Sequence, residues 1–410
     1  MLSTHQCSAN LSAVAARREL AGSGLFRASM GRHWPLILAL LLTLTHPSHA
    51  QTLDRVRETK TLRCAINQET PEYSTSDDHG PRQAFDADLC RAVAIAILGP
   101  TAKVVAIPYP DDVATMEALR SGQVDLIPTL TLDLTHAANP ALAFTPPVLY
   151  DSVGLLVPLA AHLSRAAQLD GKKICFLVET EVEVALRAWF AQSQPTQQHL
   201  YFVPFPFQEE GEMEAAFITG NCTALAGDRT RLAGTRLAFG PLAASYSLLP
   251  DQISQDPLAA ASRAGDPAFA AIVRWTFEVL LNAEALGLTQ QTIAAASAPG
   301  RAPAPAPPAP SSELSFRPDP EPAEGEVEKP ATSPASPAAN PTIAVLSGQT
   351  REIGARLSLD DAWATQVIAA VGNYGEIYAR DLGDLSPLKI PRALNRLYTE
   401  GGLMYPIPLK

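Results

Sequence analysis

A chain of 410 residues is long enough for about two domains, and its formal charge of −11, from 42 Asp and Glu against 31 Lys and Arg, argues against the basic face that nucleic-acid binding needs. Apolar residues make up 47% and aromatic residues only 6%, a balance suited to alanine-rich helices packed on a sheet. The sequence holds no nucleophile elbow, Walker loop, Cys-x-x-Cys pair or zinc spacing, so neither a metal, another cofactor nor a catalytic reaction is expected.

Residues 1–50 stand apart from the fold. Gly31-Arg32-His33 is a short basic lead, Pro35 to Thr45 an apolar core, and Ser48-His49-Ala50 puts small residues just before Gln51. This is the pattern of a signal peptide cleaved near Ala50, since the apolar run is shorter than the ~20 residues of a membrane span. Met30 sits at the natural start of such a signal, which makes 1–29 an over-extended start. Losing Arg17, Arg18, Arg27 and Arg32 against Glu19 removes a net +3 and takes the charge from −11 to −14. Four of the five cysteines follow the cut, and an even number in an exported chain predicts two disulfides.

From Leu62 to Ile66 the residues alternate like a strand entering a core. Asn67 to Ser74 is polar and marked by Pro71, a loop that displays Tyr73. Ala84-Phe85-Asp86-Ala87-Asp88-Leu89-Cys90 opens a helix, with Asp86 or Asp88 placed to cap it at its positive end. Lys103 to Pro108 reads as a strand, Asp111 to Ser121 as a helix ended by Gly122, and Val124 to Ile127 as the next strand. Strand, helix, strand alternation implies a parallel sheet covered by helices. Leu149 to Val157 crosses to a second lobe, which Leu169 to Leu177, the helix Glu183 to Ala191 and the strand Ala224 to Asp228 continue. Asp256 to Ala261 returns, and Ile272 to Leu286 has helical apolar spacing. From Ser297 to Pro341 the composition turns to Pro, Ala, Glu and Ser, which cannot build a core. Order is expected to resume with Leu359-Asp360-Asp361-Ala362-Trp363, Val371 to Tyr378, Ser386 to Ile390 and Gly401 to Tyr405.

The run Cys64 to Ala94 closely resembles the opening of the family 3 periplasmic solute-binding proteins, in their general L-amino-acid-binding branch, with Ala84 where that family usually has Gly. Leu119-Arg120-Ser121-Gly122-Gln123-Val124-Asp125, the return at Asp256-Pro257 and the C-terminal stretches match in the same order. The resemblance implies an α/β fold of two lobes, the type II periplasmic-binding-protein-like fold, joined by two hinge crossings. Lobe 1 spans 51–151, lobe 2 152–257, a lobe 1 return 258–296, the Pro-rich insert 297–341, and a C-terminal extension 342–410 packed on lobe 1. It also implies pairing of Cys175 with Cys222; Cys64, on the first strand, and Cys90, in the following helix, are neighbours in one βα unit.

Recognition without reaction is the chemistry such a resemblance implies: a periplasmic monomer that hands a small amino-acid-like ligand to the membrane permease of an ABC transporter. The family sets a cation against the ligand carboxylate, an aspartate against its ammonium and an aromatic against its side chain. Tyr73 falls at the aromatic position and Asp228 at the aspartate. The arginine position is occupied by Thr135-His136, and the Thr-Gly-Thr turn by Val178-Glu179-Thr180. A histidine is mostly neutral at pH 7 where an arginine is always charged, and Glu179 adds a negative charge. The pocket is therefore expected to be altered, turned from an ordinary α-amino acid toward an amine-bearing ligand. Two alternatives stay open: an interaction or sensory module that reuses the fold, with the Pro-rich stretch as its working part, and a cyclohexadienyl-dehydratase-like lyase.

Overall fold

The computed structural model describes residues 51–67, 85–178, 180–192, 200–293, 341–348 and 351–409. The signal sequence, the loop bearing Tyr73, Glu179 and the Pro-rich stretch up to 340 lie outside the described residues. In chain order the first lobe contributes α1 (Gln51–Thr59), β1 (Thr61–Asn67), α2 (Phe85–Leu98), β2 (Lys103–Tyr109), α3 (Asp112–Arg120), β3 (Ile127–Thr131), the single-turn α4 (Leu134–Ala137) and β4 (Leu142–Asp151). The second lobe holds β5 (Val153–Pro158), β6 (Lys173–Leu177), α5 (Val182–Gln192), β7 (Val203–Phe207), α6 (Glu210–Ile218), β8 (Ala224–Asp228), α7 (Arg229–Ala238) and β9 (Tyr246–Leu248). Strand β10 (Asp256–Arg263) and helix α8 (Pro267–Ala285) return to the first, and α9 (Pro341–Leu346), α10 (Arg351–Arg356), α11 (Trp363–Val371) and α12 (Tyr374–Asp381) complete it. Among the described residues no helix is long and apolar enough to cross a membrane.

Topology decides where the chain crosses. β1 pairs parallel with β2 and touches Leu126, just before β3, through a parallel bridge at Cys64, while β10 lies antiparallel between β3 and β4. The second sheet runs β7-β6-β8-β5-β9, with β6 parallel to both β7 and β8. Only Ser152 separates β4 in one sheet from β5 in the other, and Asp256 of β10 registers opposite Asp151 of β4. The two crossings expected near Asp151 and Pro257 thus run side by side.

The second sheet shows why its strands read as nearly continuous apolar runs. Ile174 and Phe176 of β6 face one core with Phe190 and Phe202, while Cys175 faces another with Phe217 and Leu225. A strand covered on both faces buries both of its alternating sets. The disulfides Cys64–Cys90 and Cys175–Cys222 both form, across Cα separations of 6.5 and 5.8 Å that lie within disulfide reach.

Three local expectations need correction. The strand expected over Val124–Ile127 begins at Ile127 and runs to Thr131. Its leading residues are turned instead to the end of β1, where the Asp125 carboxylate is fully buried and held by Arg55 and Arg63, with Arg63 Nη2 at 2.9 Å. Neither candidate cap of α2 serves chiefly as a cap. Asp86 takes the Thr129 hydroxyl at 2.9 Å and Asp88 pairs with Arg380 of α12, because this helix end is covered rather than exposed. Helical structure is present ahead of Leu359, over Pro341–Leu346, because Val345 and Leu346 bury against the first core.

The C-terminal helices are part of that first core. Trp363, Tyr374 and Tyr378 are almost fully buried in one cluster with residues of α2 and α8. Tyr374 stands edge-on to both Phe85 and Phe277, at centroid distances of 6.0 and 5.6 Å. Asn373 caps α12 through a capping box with Glu376.

Candidate functional site

Strand polarity sets the described candidates at the C-terminal ends of strands in two sheets. In the first lobe the segment that carries Thr135 and His136 leaves the C-terminal end of β3, which runs parallel to β1. In the second lobe Thr180 follows β6 and Asp228 ends the parallel β8. Asp228 registers directly opposite Val153, two residues beyond Asp151, and the Leu132 N–H donates to Pro257 O at 2.8 Å. The two C-terminal edges therefore flank the paired crossings, the place where open α/β sheets take ligands.

Each described candidate has a definite local setting. His136 lies on α4, its backbone N–H donating to Asp133 Oδ1 at 2.8 Å and its ring Nδ1 2.9 Å from the same carboxylate. Burial opposes ionisation of Asp133, but the backbone N–H and ring of His136 outweigh it and hold the carboxyl below its ordinary range. The His136 ring is thus turned onto its own helix start. Thr135 beside it is exposed. Thr180 is also exposed and donates its hydroxyl to Leu177 O at 2.8 Å, closing the turn that leads into α5. Asp228 is exposed, with extended backbone (φ −60°, ψ 137°), and begins α7 without a side-chain cap bond. Tyr73 and Glu179 lie outside the described residues.

Sequence reading missed the polar machinery beneath this edge. Asp151 receives Thr230 Oγ1 and the Ser152 N–H, and Arg229 lies buried with Nη1 2.8 Å from Leu249 O. Ser254 donates to Asp256 and receives the Val153 N–H at 2.7 Å. Burial pushes both hinge carboxyls up, with Asp256 adding to the effect on Asp151 and Glu181 to that on Asp256. At the start of α2, burial raises the Asp86 carboxyl to about 7, partly offset by the Thr129 hydroxyl. A carboxylate in each of the two crossings was the available signal.

Comparisons with known proteins identify the family. No protein-family model matches the chain. YhdW of Escherichia coli O157:H7, provisionally named an amino-acid ABC transporter-binding protein, is 32% identical over 91% of this chain and 96% of its own. The glutamate/glutamine/aspartate/asparagine-binding protein BztA of Rhodobacter capsulatus is 30% identical over 91% of this chain and 97% of its own. The chain belongs to the amino-acid-binding proteins of ABC transporters. A solved relative from Brucella ovis, a periplasmic binding protein of an ABC transporter with glutathione bound, is 32% identical, covers 88% of this chain and 99% of its own, and superposes with a TM-score of 0.67. As a member of this family the chain is a periplasmic solute receptor, not an enzyme, that takes a small ligand and works with an ABC transporter. The dehydratase reading finds no counterpart in these relatives.

Proposed function

We propose that this receptor binds an amino-acid-derived solute with a free amine, chosen more for its positive charge than for its carboxylate. Supporting the reading most directly is the placement of Asp228 and Thr180 on one sheet edge, across the paired crossings from His136, whose ring already stands against Asp133. Asp228 would take the ammonium, Thr180 and Thr135 would hydrogen-bond the ligand, and His136 would stand in for the missing arginine. Tyr73 would supply the aromatic wall and Glu179 a second negative charge. These assignments rest on the resemblance, and the field they create favours cations.

The relatives fit a broad ligand class. BztA is named for acidic amino acids and their amides, and the Brucella ovis protein holds glutathione. Each such ligand carries an α-ammonium group for an aspartate to receive. Lobe boundaries at 51–151, 152–257 and 258–296, a cleaved signal over 1–50, a linker role for 297–341 and a monomeric receptor complete the proposal.

A thermal-shift screen over amino acids, amines, glutathione and small organic acids tests it. A ligand at ~100 times its dissociation constant stabilises the protein by about 2.7 kcal/mol. Shifts are expected from cationic amine-bearing compounds such as L-arginine, and not from dicarboxylic acids without an amine. Shifts from the latter alone would overturn the assignment of Asp228.

A further inference from the structure

Closing two lobes around a ligand requires the crossings to bend, and in this protein a third party holds them. Asn395, buried in the C-terminal segment, accepts the Tyr150 N–H at 2.7 Å and donates to Tyr150 O at 2.8 Å. Its side-chain amide so satisfies both backbone groups of the residue immediately before Asp151. Tyr374 donates its hydroxyl to Val148 O at 3.1 Å, two residues further back on β4. The strand that leads into the first crossing is thereby fastened at two points by side chains from beyond residue 372.

The same segment reaches the other lobe. Arg236 of α7, a helix packed on β5, β8 and β9, donates from Nη2 to Leu388 O at 2.9 Å and to Pro387 O at 3.3 Å. Ala233 of α7 is buried in the first-lobe cluster that includes Leu388 and Ile390, and Leu237 and Leu248 pack against it. The segment is anchored firmly at its first-lobe end. Arg392 pairs with Glu284 of α8, Nη2 lying 3.1 Å from Oε2, and Ile407 N donates to Glu278 Oε2 at 2.8 Å.

We infer that the C-terminal segment is a hinge brace: anchored on the first lobe, it restrains the crossing at Tyr150–Ser152 and ties α7 of the second lobe, so that it sets the balance between open and closed lobes. Bonds to a backbone beside a crossing and to a helix beyond it cannot all survive a rotation about that crossing. They therefore favour the lobe orientation in which they form. Arg236 is the release point, because its two bonds tie the segment to the second lobe and the residue is only partly buried. The residues act through lobe position and need no contact with the ligand.

Spin labels at V113C and V184C, on exposed positions of α3 and α5, report the separation of the lobes by pulsed electron resonance in the full chain without ligand. The reading is thus independent of what the pocket binds. With R236A the distance distribution is expected to broaden and its mean to move by more than about 2 Å, while Arg236→Lys keeps the parent distribution. Y374F, which removes one hydroxyl and leaves the core filled, is expected to broaden it less. Distributions of R236A and Y374F that superimpose on the parent would overturn the brace.

Discussion

Asp86→Asn isolates one buried carboxyl and makes the stability of the first lobe a function of pH. Asp86 is almost fully buried at the start of α2, with both carboxylate oxygens facing the Thr129 hydroxyl, and burial raises it from 3.8 to about 7. An Asn keeps the acceptor for Thr129 and cannot titrate. Because the folded value lies above the unfolded one, the native state holds the proton longer. Stability from this group is complete below pH ~4, falls as pH rises, and is lost once pH passes 7. The gap between 3.8 and about 7 corresponds to about 4 kcal/mol at 1.36 kcal/mol per tenfold. Urea unfolding of parent and D86N from pH 4 to pH 8 measures the difference, in which every other titrating group cancels. D86N is expected to gain about 4 kcal/mol relative to the parent across that range, all of it before pH 8. A difference between the two proteins that does not change with pH would refute the reasoning.

Three further outcomes follow from the packing and the covalent links. Gly154→Ala puts a Cβ 2.6 Å from Arg229 Cγ, an overpacking expected to cost about 1–3 kcal/mol in urea unfolding. Replacing both cysteines of one disulfide by serine should cost about 3.5 kcal/mol for Cys64–Cys90 and about 4 kcal/mol for Cys175–Cys222, from the 26- and 47-residue separations. Asp125→Asn leaves Arg55 and Arg63 without their buried counter-charge and is expected to lower stability by about 3–5 kcal/mol.

Much of the fold was legible in the sequence because its signals were local. Alternation in Leu62 to Ile66, the helix read over Asp111 to Ser121 and the Gly122 stop after it each depend on a few neighbours, and each formed, with Asp111 and Ser121 as the caps of α3. The stop is one residue past the cap Ser121, with Gly122 at φ +77°. Export and an even count gave the number of disulfides, while the pairing came from the βα neighbourhood of Cys64 and Cys90 and from the family resemblance for Cys175 and Cys222. Misreadings came where distant charge decided. Val124 to Leu126 looked like a strand, but Asp125 is claimed by arginines from α1 and β1. Asp88 looked like a cap, but its partner Arg380 lies 292 residues away. The hinge carboxyls and the grip of Asn395 on Tyr150 depend on a register between strands and a segment far apart in the chain. No periodicity encodes such a pairing. For the candidate site, sequence proposed Asp228, Thr180 and His136; the fold sets the first two at C-terminal strand ends of one sheet and His136 after a strand of the other.

The charge preference of the pocket is the central claim, and calorimetric titration of the mature protein at pH 7.5 tests it most directly. L-arginine is expected to bind, and Asp228→Asn to weaken it by at least ~30-fold, or about 2 kcal/mol, as removal of a paired charge requires. L-glutamate is expected to show no micromolar binding until His136→Arg restores the cation. Micromolar glutamate binding to the unaltered protein, unaffected by Asp228→Asn, would contradict the account.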